Sequence, residues 1–306
     1  MMITGNIQYL HRAAIDTARW DAAITAAGNG TLYAESAWLD NFCPHWDALV
    51  EGDYEQVMPL PWRKKAGIQY LGYTPFIYAG GVFGNDLNAD RLKAFLDAVP
   101  PKFRYWDFPL NNGNNYTLPE YPMLLRRNFI LPLSPSYTDI EKNYRKQIHR
   151  NIHKAKGLRF VVDTAVEVEE VIRLASLRHF NDYFSVKDYN SFLKIYGVRQ
   201  GEGRAKIYGI RTNQGNLMAS AVFFFAAGRA YYLLVGNHPD GKTAGASHFL
   251  IDAFIRDHCA QPLVLDFEGS DIDGLAFFYS SFGAFAEYYP TIRLNRLPAW
   301  LRWLKP

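Results

Sequence analysis

The chain has 306 residues, 49% of them hydrophobic and 21% charged. That balance excludes disorder as the main state, because unfolded chains combine low hydrophobicity with high charge. Lys and Arg number 33 against 30 Asp and Glu, too even a balance to advertise DNA binding by bulk charge. Cys43 and Cys259 stand far apart and in no CxxC or zinc spacing, so neither a disulfide scaffold nor a structural metal is expected. Met1 to Arg12 lacks an apolar core flanked by basic residues. The longest apolar stretch, Met218 to Ala227, is half of the ~20 residues that a bilayer span needs. A cytoplasmic chain is the expectation.

In chain order, Tyr54 to Arg63 and Gly67 to Tyr73 read as paired strands around Lys64–Gly67, and Phe76 to Phe83 as a third. Ala89 to Val99 follows as a helix, and Phe103 to Phe108 as a strand that ends in Asp107-Phe108. The Pro-rich segment Leu131 to Ser136 marks a boundary, which divides the chain into domains 1–135 and 136–306. A basic interdomain helix is predicted over 138–156, with Gly157 as its C-cap. Next come a strand at Leu158–Val162, a helix opened by the capping-box spacing Thr164–Glu167, and a helix at Asn190–Val198. Lys206–Arg211, Leu217–Phe225 and Tyr231–Gly236 form a strand meander, turned first at Asn213-Gln214-Gly215. A Gly-rich loop leads to a helix at Ala246–His258 and an apolar strand at Leu263–Phe267. Ser270 is placed as the cap of a short helix whose Ile272, Leu275, Ala276 and Tyr279 share a face, before a last strand at Phe285–Leu294. The tail Pro298–Lys305 reads as a terminal segment docked on the core. Three strands, a loop, a helix and a strand thus recur in both halves, the pattern of an internal duplication.

Gly236 to Thr243 fits G-x-x-x-x-G-K-[ST] letter for letter. The turn at Asn213-Gln214-Gly215 is too short for a parallel crossover, however, and a P-loop needs a parallel sheet. What survives is the physics of the loop: a small-residue turn entering a helix, Lys242 to Ser247, presents free N–H groups to a phosphate. Lys142 to Arg159 carries seven Lys or Arg, two His and no acidic residue. Such a helix attracts phosphates on a nucleotide-linked acceptor, a tRNA or an anionic membrane surface. Asp266 and Glu268 stand near the end of a central strand, where alternation sends both to one face as a base and a positioning group. No G-x-S-x-G, H-E-x-x-H or G-x-G-x-x-G occurs.

The strand order, with this loop between the third meander strand and its helix, resembles the GCN5-related acetyltransferase (GNAT) fold. Lys242-Thr243-Ala244-Gly245-Ala246-Ser247 follows the R/Q-x-x-G-x-G/A turn of that family, with Lys and Ser at its ends. The duplication narrows the likeness to the bacterial FemAB-like tandem-GNAT enzymes. Tyr144 to Lys156 resembles their interdomain helix, and Asp266–Ser270, Phe282-Gly283-Ala284 and Tyr54–Lys65 are also similar. The resemblance implies an α/β fold of two GNAT-like domains, each a mixed, largely antiparallel sheet flanked by helices. It implies an N-acyltransferase that uses acyl-CoA, without metal, and an amine acceptor attacked directly. Gly241, Lys242, Thr243, Ala244, Gly245, Ala246 and Ser247 would hold the donor, and Tyr279 would protonate the leaving thiolate. Asp266 and Glu268 would serve the amine, and Arg145, Arg150 and Lys154 would collect an anionic acceptor. The alternatives are aminoacyl-tRNA as donor to a cell-wall precursor, or a non-catalytic protein with a degenerate double fold. The long helical arm of some Fem enzymes has no room here.

Overall fold

A computed structural model describes residues 6–179, 184–269, 271–298 and 300–301 of the chain. The expected cap Ser270 and most of the tail Pro298–Lys305 lie outside the described residues. The chain divides into two compact units, Met1–Arg126 with Tyr288–Pro306, and Arg127–Glu287.

The first unit opens with β1 (Ile7–Leu10), α1 (Thr17–Ala26), α2 (Ser36–Phe42) and β2 (His45–Glu51). It continues through β3 (Gln56–Lys65), β4 (Ile68–Gly72), a two-residue β5 (Phe83–Gly84), α3 (Ala89–Asp97) and β6 (Phe103–Pro109). Helix α3 starts where Asn88 accepts the Arg91 N–H, and it buries Leu92, Phe95 and Leu96 at helical spacing. The strand expected over Phe76–Phe83 forms only at its end. Phe76 and Gly81 have φ of 60° and 81°, which breaks an extended run. The segment's backbone groups find side chains instead: Asn114 Oδ1 accepts the Val82 N–H, and Asn114 Nδ2 donates to Val82 O.

The second unit is entered along β7 (Met123–Pro132), followed by α4 (Tyr137–Glu141) and α5 (Lys146–Gly157). It then holds β8 (Val161–Asp163), α6 (Val168–His179), α7 (Val186–Gly201), β9 (Ala205–Arg211), β10 (Leu217–Ala226) and β11 (Arg229–Asn237). Last come α8 (Pro239–Ala244), α9 (Ala246–His258), β12 (Val264–Asp266), α10 (Asp273–Ser280) and β13 (Phe285–Asn295), which runs on into the first unit. The helix predicted over 138–156 is two helices. Between them, Asn143 lies where a Cβ on Gly283 would come within 2.8 Å of it, and the Arg145 N–H donates to Ser281 O. That crossing leaves Arg145 extended and restarts the helix at Lys146.

The strands of the two units share a layout. In the first unit β2, β3 and β4 are antiparallel, β4 lies parallel to β6, and β13 pairs antiparallel with β6. In the second, β9, β10 and β11 are antiparallel, β11 lies parallel to β12, and β7 pairs antiparallel with β12. The antiparallel meander excludes the P-loop fold, and Lys242 and Thr243 sit inside α8 rather than in a phosphate loop.

The two parallel pairs differ in one respect that matters. β4 stays paired with β6 to its last residue, Gly72. β11 pairs with β12 only from Arg229 to Tyr231 and then runs on to Asn237. The parting has a local cause. After Asp266 the chain turns toward β7, where the Phe267 N–H donates to Phe129 O and the Gly269 N–H to Asn128 Oδ1. Glu268 and Gly269 take φ of 62° and 87°. On its other edge β11 carries an irregularity, since Ala221 faces Val235 while Phe223 faces Tyr232. Three steps of β11 against two of β10 make a bulge, which sharpens the twist at the same level.

A buried ion-pair group fixes the parting point. Arg229 Nη1 donates to Asp266 Oδ2 at 2.8 Å, and its two nitrogens reach Glu287 at 2.9 and 2.8 Å. Asn128 Nδ2 and the Glu268 N–H both donate to Asp266 Oδ1. Replacing Arg229 by Ala removes the cation from buried Asp266 and part-buried Glu287 and should cost about 3 kcal/mol of stability. Urea unfolding of Arg229→Ala against the parent chain measures it.

Candidate active site

The second unit holds a cleft of about 610 Å³ between the unpaired stretch of β11 and α10. Tyr232, Val235 and Asn237 supply the β11 wall. Gln147 of α5, Lys242 of α8, and Ser247 and His248 of α9 form the polar rim. Ile272, Gly274, Leu275, Phe277, Phe278 and Tyr279 close the opposite side.

The α8–α9 junction is built on two close approaches. A Cβ on Gly241 would come within 2.2 Å of Met218 O, and one on Gly245 within 2.4 Å of Asn151 O. Gly245 also has φ of 83°, the left-handed value that ends α8 and starts α9. No side chain caps this 13-residue helix α9, so its first N–H groups have no side-chain acceptor. Around it Gly241, Ala244, Ala246 and Ser247 are buried, while Lys242 and Thr243 are exposed. Ser247 Oγ donates to Asn237 Oδ1, which ties the junction to the end of β11.

The expected catalytic residues separate. Tyr279 lines the cleft, its ring stacked on Phe267 at 4.6 Å and edge-on to Tyr232 at 6.5 Å. Burial, and after it the Glu268 charge, raises its hydroxyl well above the ordinary phenol value. Asp266 is fully engaged by Arg229, Asn128 and the Glu268 N–H. Burial pushes its carboxyl up, against the pull of those partners. Strand alternation does not place Asp266 and Glu268 on one face, because β12 ends at Asp266 and Glu268 is left-handed.

The three cations are also spread out. Arg145, at the N-cap of α5, lays its guanidinium 4.5 Å over the Phe277 ring. Lys154 Nζ donates to Thr243 O in α8 at 2.9 Å. Arg150 is exposed on α5, where Lys146 and His153 share its face by helical spacing. None of these three makes an ion pair among the described residues.

Sequence reading passed over His248 and Asn151. Asn151 Nδ2 lies 3.0 Å from His248 Nε2. With the amide donating, the imidazole proton sits on Nδ1, which is buried without a partner. Phe278 packs edge-on to the ring at 4.9 Å, and burial pushes the pKa down to about 4. A pairing of Gln147 and Asn151 at helical spacing, facing the Gly-rich junction, was the only available signal.

Residues 141–273 match the family described as the acetyltransferase (GNAT) domain. No curated protein matches the chain. Among solved structures, FemX is similar over 97% of this chain and 99% of its own, with 15% identity and a TM-score of 0.66. The C-terminal domain (DUF2156) of a putative lysylphosphatidylglycerol synthetase from Agrobacterium fabrum covers 93% and 92%, at 11% identity and a TM-score of 0.57. L-PGS from Bacillus licheniformis covers 83% and 85%, at 10% identity and 0.53. At these identities the likeness is one of fold. Residues 141–273 are thus similar to a GNAT acetyltransferase domain, and the chain shares its fold with FemX. No helix among the described residues is long and apolar enough to cross a membrane. No group of three or more His, Cys, Asp or Glu among them could hold a metal.

His248 gives the site a pH signature. Its folded pKa of about 4 lies below the ordinary 6.5, so the unfolded chain binds the extra proton between those values. Stability should fall as pH drops from 6.5 toward 4, by as much as about 3 kcal/mol. Comparing urea unfolding of the parent and His248→Gln at pH 7 and pH 4.5 isolates this effect, which the variant should lack.

Proposed function

We propose that the chain is an N-acyltransferase that takes an acyl group from acyl-CoA and delivers it to an amine by direct attack in a ternary complex. The observation that carries this reading is the unpaired edge of β11 from Tyr232 to Asn237, facing a cleft that ends at the uncapped α9. An extended pantetheine arm can pair its amides with that edge, as an added strand would. The pyrophosphate would sit on the first N–H groups of α9, around Gly241 to Ser247, with Lys242 beside it. The first unit offers no such opening, since β4 stays paired to its end and Asn88 already caps α3. The sequence-based bounds 1–135 and 136–306 differ from the compact units at 127–135 and 288–306; a cytoplasmic, bacterial setting is proposed.

The amine lone pair attacks the thioester carbonyl carbon; the C–N bond forms, the C–S bond breaks and the thiolate leaves. Tyr279, in the cleft wall, would donate a hydrogen bond to that sulfur. Its raised pKa suits it to stabilising the thiolate and to passing on a proton only as the charge develops. The amine proton goes to Glu268, directly or through a water, because Asp266 is committed to Arg229 and acts as a positioning group. Arg145 and Arg150 would draw a small or nucleotide-linked anionic acceptor. A second reading, aminoacyl-tRNA as donor, is favoured by one observation, the exposed face of Lys146, Arg150 and His153 without ion pairs.

A thermal midpoint measured with CoA, acetyl-CoA and Mg·ATP tests the donor. A ligand at a hundred times its Kd adds about 2.7 kcal/mol of apparent stability, so CoA and acetyl-CoA should raise the midpoint and Mg·ATP should not. Binding only to RNA, with steep salt dependence, would instead favour aminoacyl-tRNA. Tyr279→Phe should lower kcat about a hundredfold and leave donor affinity in place. Gly245→Val should abolish donor binding, and unchanged affinity would remove the donor site.

A further inference from the structure

The wall of the cleft formed by α10 is unusual for a phosphate- and amide-binding slot. Ile272, Leu275 and Phe277 are 66%, 41% and 50% exposed. All three line the same cleft within six residues of chain, together with the half-buried Phe278. Single exposed apolar side chains are ordinary, but a contiguous group in a concave site marks a ligand surface. The opposite rim is polar, with Gln147, Asn237, Lys242, Ser247 and His248. The cleft is therefore amphiphilic by walls: hydrogen-bonding groups come from β11, α5 and the α8–α9 junction, and apolar groups come from α10.

We propose that the donor's acyl group is a medium- or long-chain aliphatic one, seated against Ile272, Leu275 and Phe277. This rests on the acyl-CoA reading and narrows it. An acetyl group would leave Ile272 and Leu275 in water, and Phe277 with only the Arg145 guanidinium over its ring. An aliphatic chain of several methylenes removes them and itself from water at once. His248 supports the division of the site: its ring is held neutral between Asn151 and Phe278, so it adds no charge beside the chain. The product is a fatty amide, formed as the amine nitrogen replaces the thiolate on the acyl carbon, with free CoA thiol as the other product.

The test is a binding series on the full chain with CoA, acetyl-CoA, hexanoyl-CoA and octanoyl-CoA, by calorimetry. Affinity should rise by about tenfold or more from acetyl-CoA to octanoyl-CoA, the order expected when several methylenes leave water. The triple variant Ile272→Asn, Leu275→Asn, Phe277→Asn should lose that gain, with its ratio of octanoyl to acetyl affinity near one. Val198→Asn, an exposed apolar site on α7, should keep it. Equal affinity for acetyl-CoA and octanoyl-CoA in the parent chain overturns the proposal and leaves the acyl-CoA reading standing. Failure of every thioester and of CoA to bind overturns both. The series on the parent chain decides the matter even if the triple variant does not fold.

Discussion

The site depends on where two parallel strands stop being neighbours. Parallel strands joined by a helix ordinarily stay paired, because each step apart leaves an N–H or C=O without a partner. Here the parting is held by charge. Arg229 stands on β11 where the pairing begins, opposite Val264, and its guanidinium reaches forward to Asp266 in the last pair and to Glu287. Asp266, the last residue of β12, also gathers Asn128 of β7 and the Glu268 N–H. Beyond that point the chain's backbone bonds go to β7, and β11 continues with only β10 beside it. A buried ion pair is weak evidence for stability but good evidence for a fixed geometry when all its partners are satisfied. The two left-handed residues after Asp266 commit the chain to the turn.

The second constraint is backbone contact. Gly245 is pressed against Asn151 of α5, and Gly241 against Met218 of β10. The junction of α8 and α9 is thereby fixed from both sides, and the start of α9 is aimed at the end of the open edge. Lys154 and Asn151 bind α5 to the same junction through Thr243 O and His248. The basic helix is thus tied to the α8–α9 junction. Its outward face, with Lys146 and Arg150, remains in solvent.

Much of the second unit was legible in the sequence, for a physical reason. Its strands and helices are long or strongly patterned, so β9, β10, β11 and α9 fall within a residue or two of expectation. The start of the first unit, β1 to β2, carries no comparable pattern. Phe76–Phe83 read as a strand because it is apolar, but three asparagine side chains supply the hydrogen bonds that a neighbour would have given. The break between α4 and α5 was hidden as well, since it comes from a crossing at Ser281–Gly283 more than a hundred residues away. Gly245 and Tyr279 were named through the GNAT resemblance, and the structure puts Gly245 at the α8–α9 junction and Tyr279 in the cleft wall. The pairing of Asp266 with Glu268 could not be judged, because alternation assumes a strand that in fact ends. His248 was invisible, for its character comes from what surrounds it: Asn151, Phe278 and the loss of water.

Hydrogen–deuterium exchange of the full chain, with and without CoA, tests the central claim most directly. The backbone amides of β11 from Tyr232 to Asn237 and of the first turn of α9 should become protected together on binding, while β4 and α3 do not change. Protection confined to other segments, with the β11 edge exchanging as before, would contradict the account.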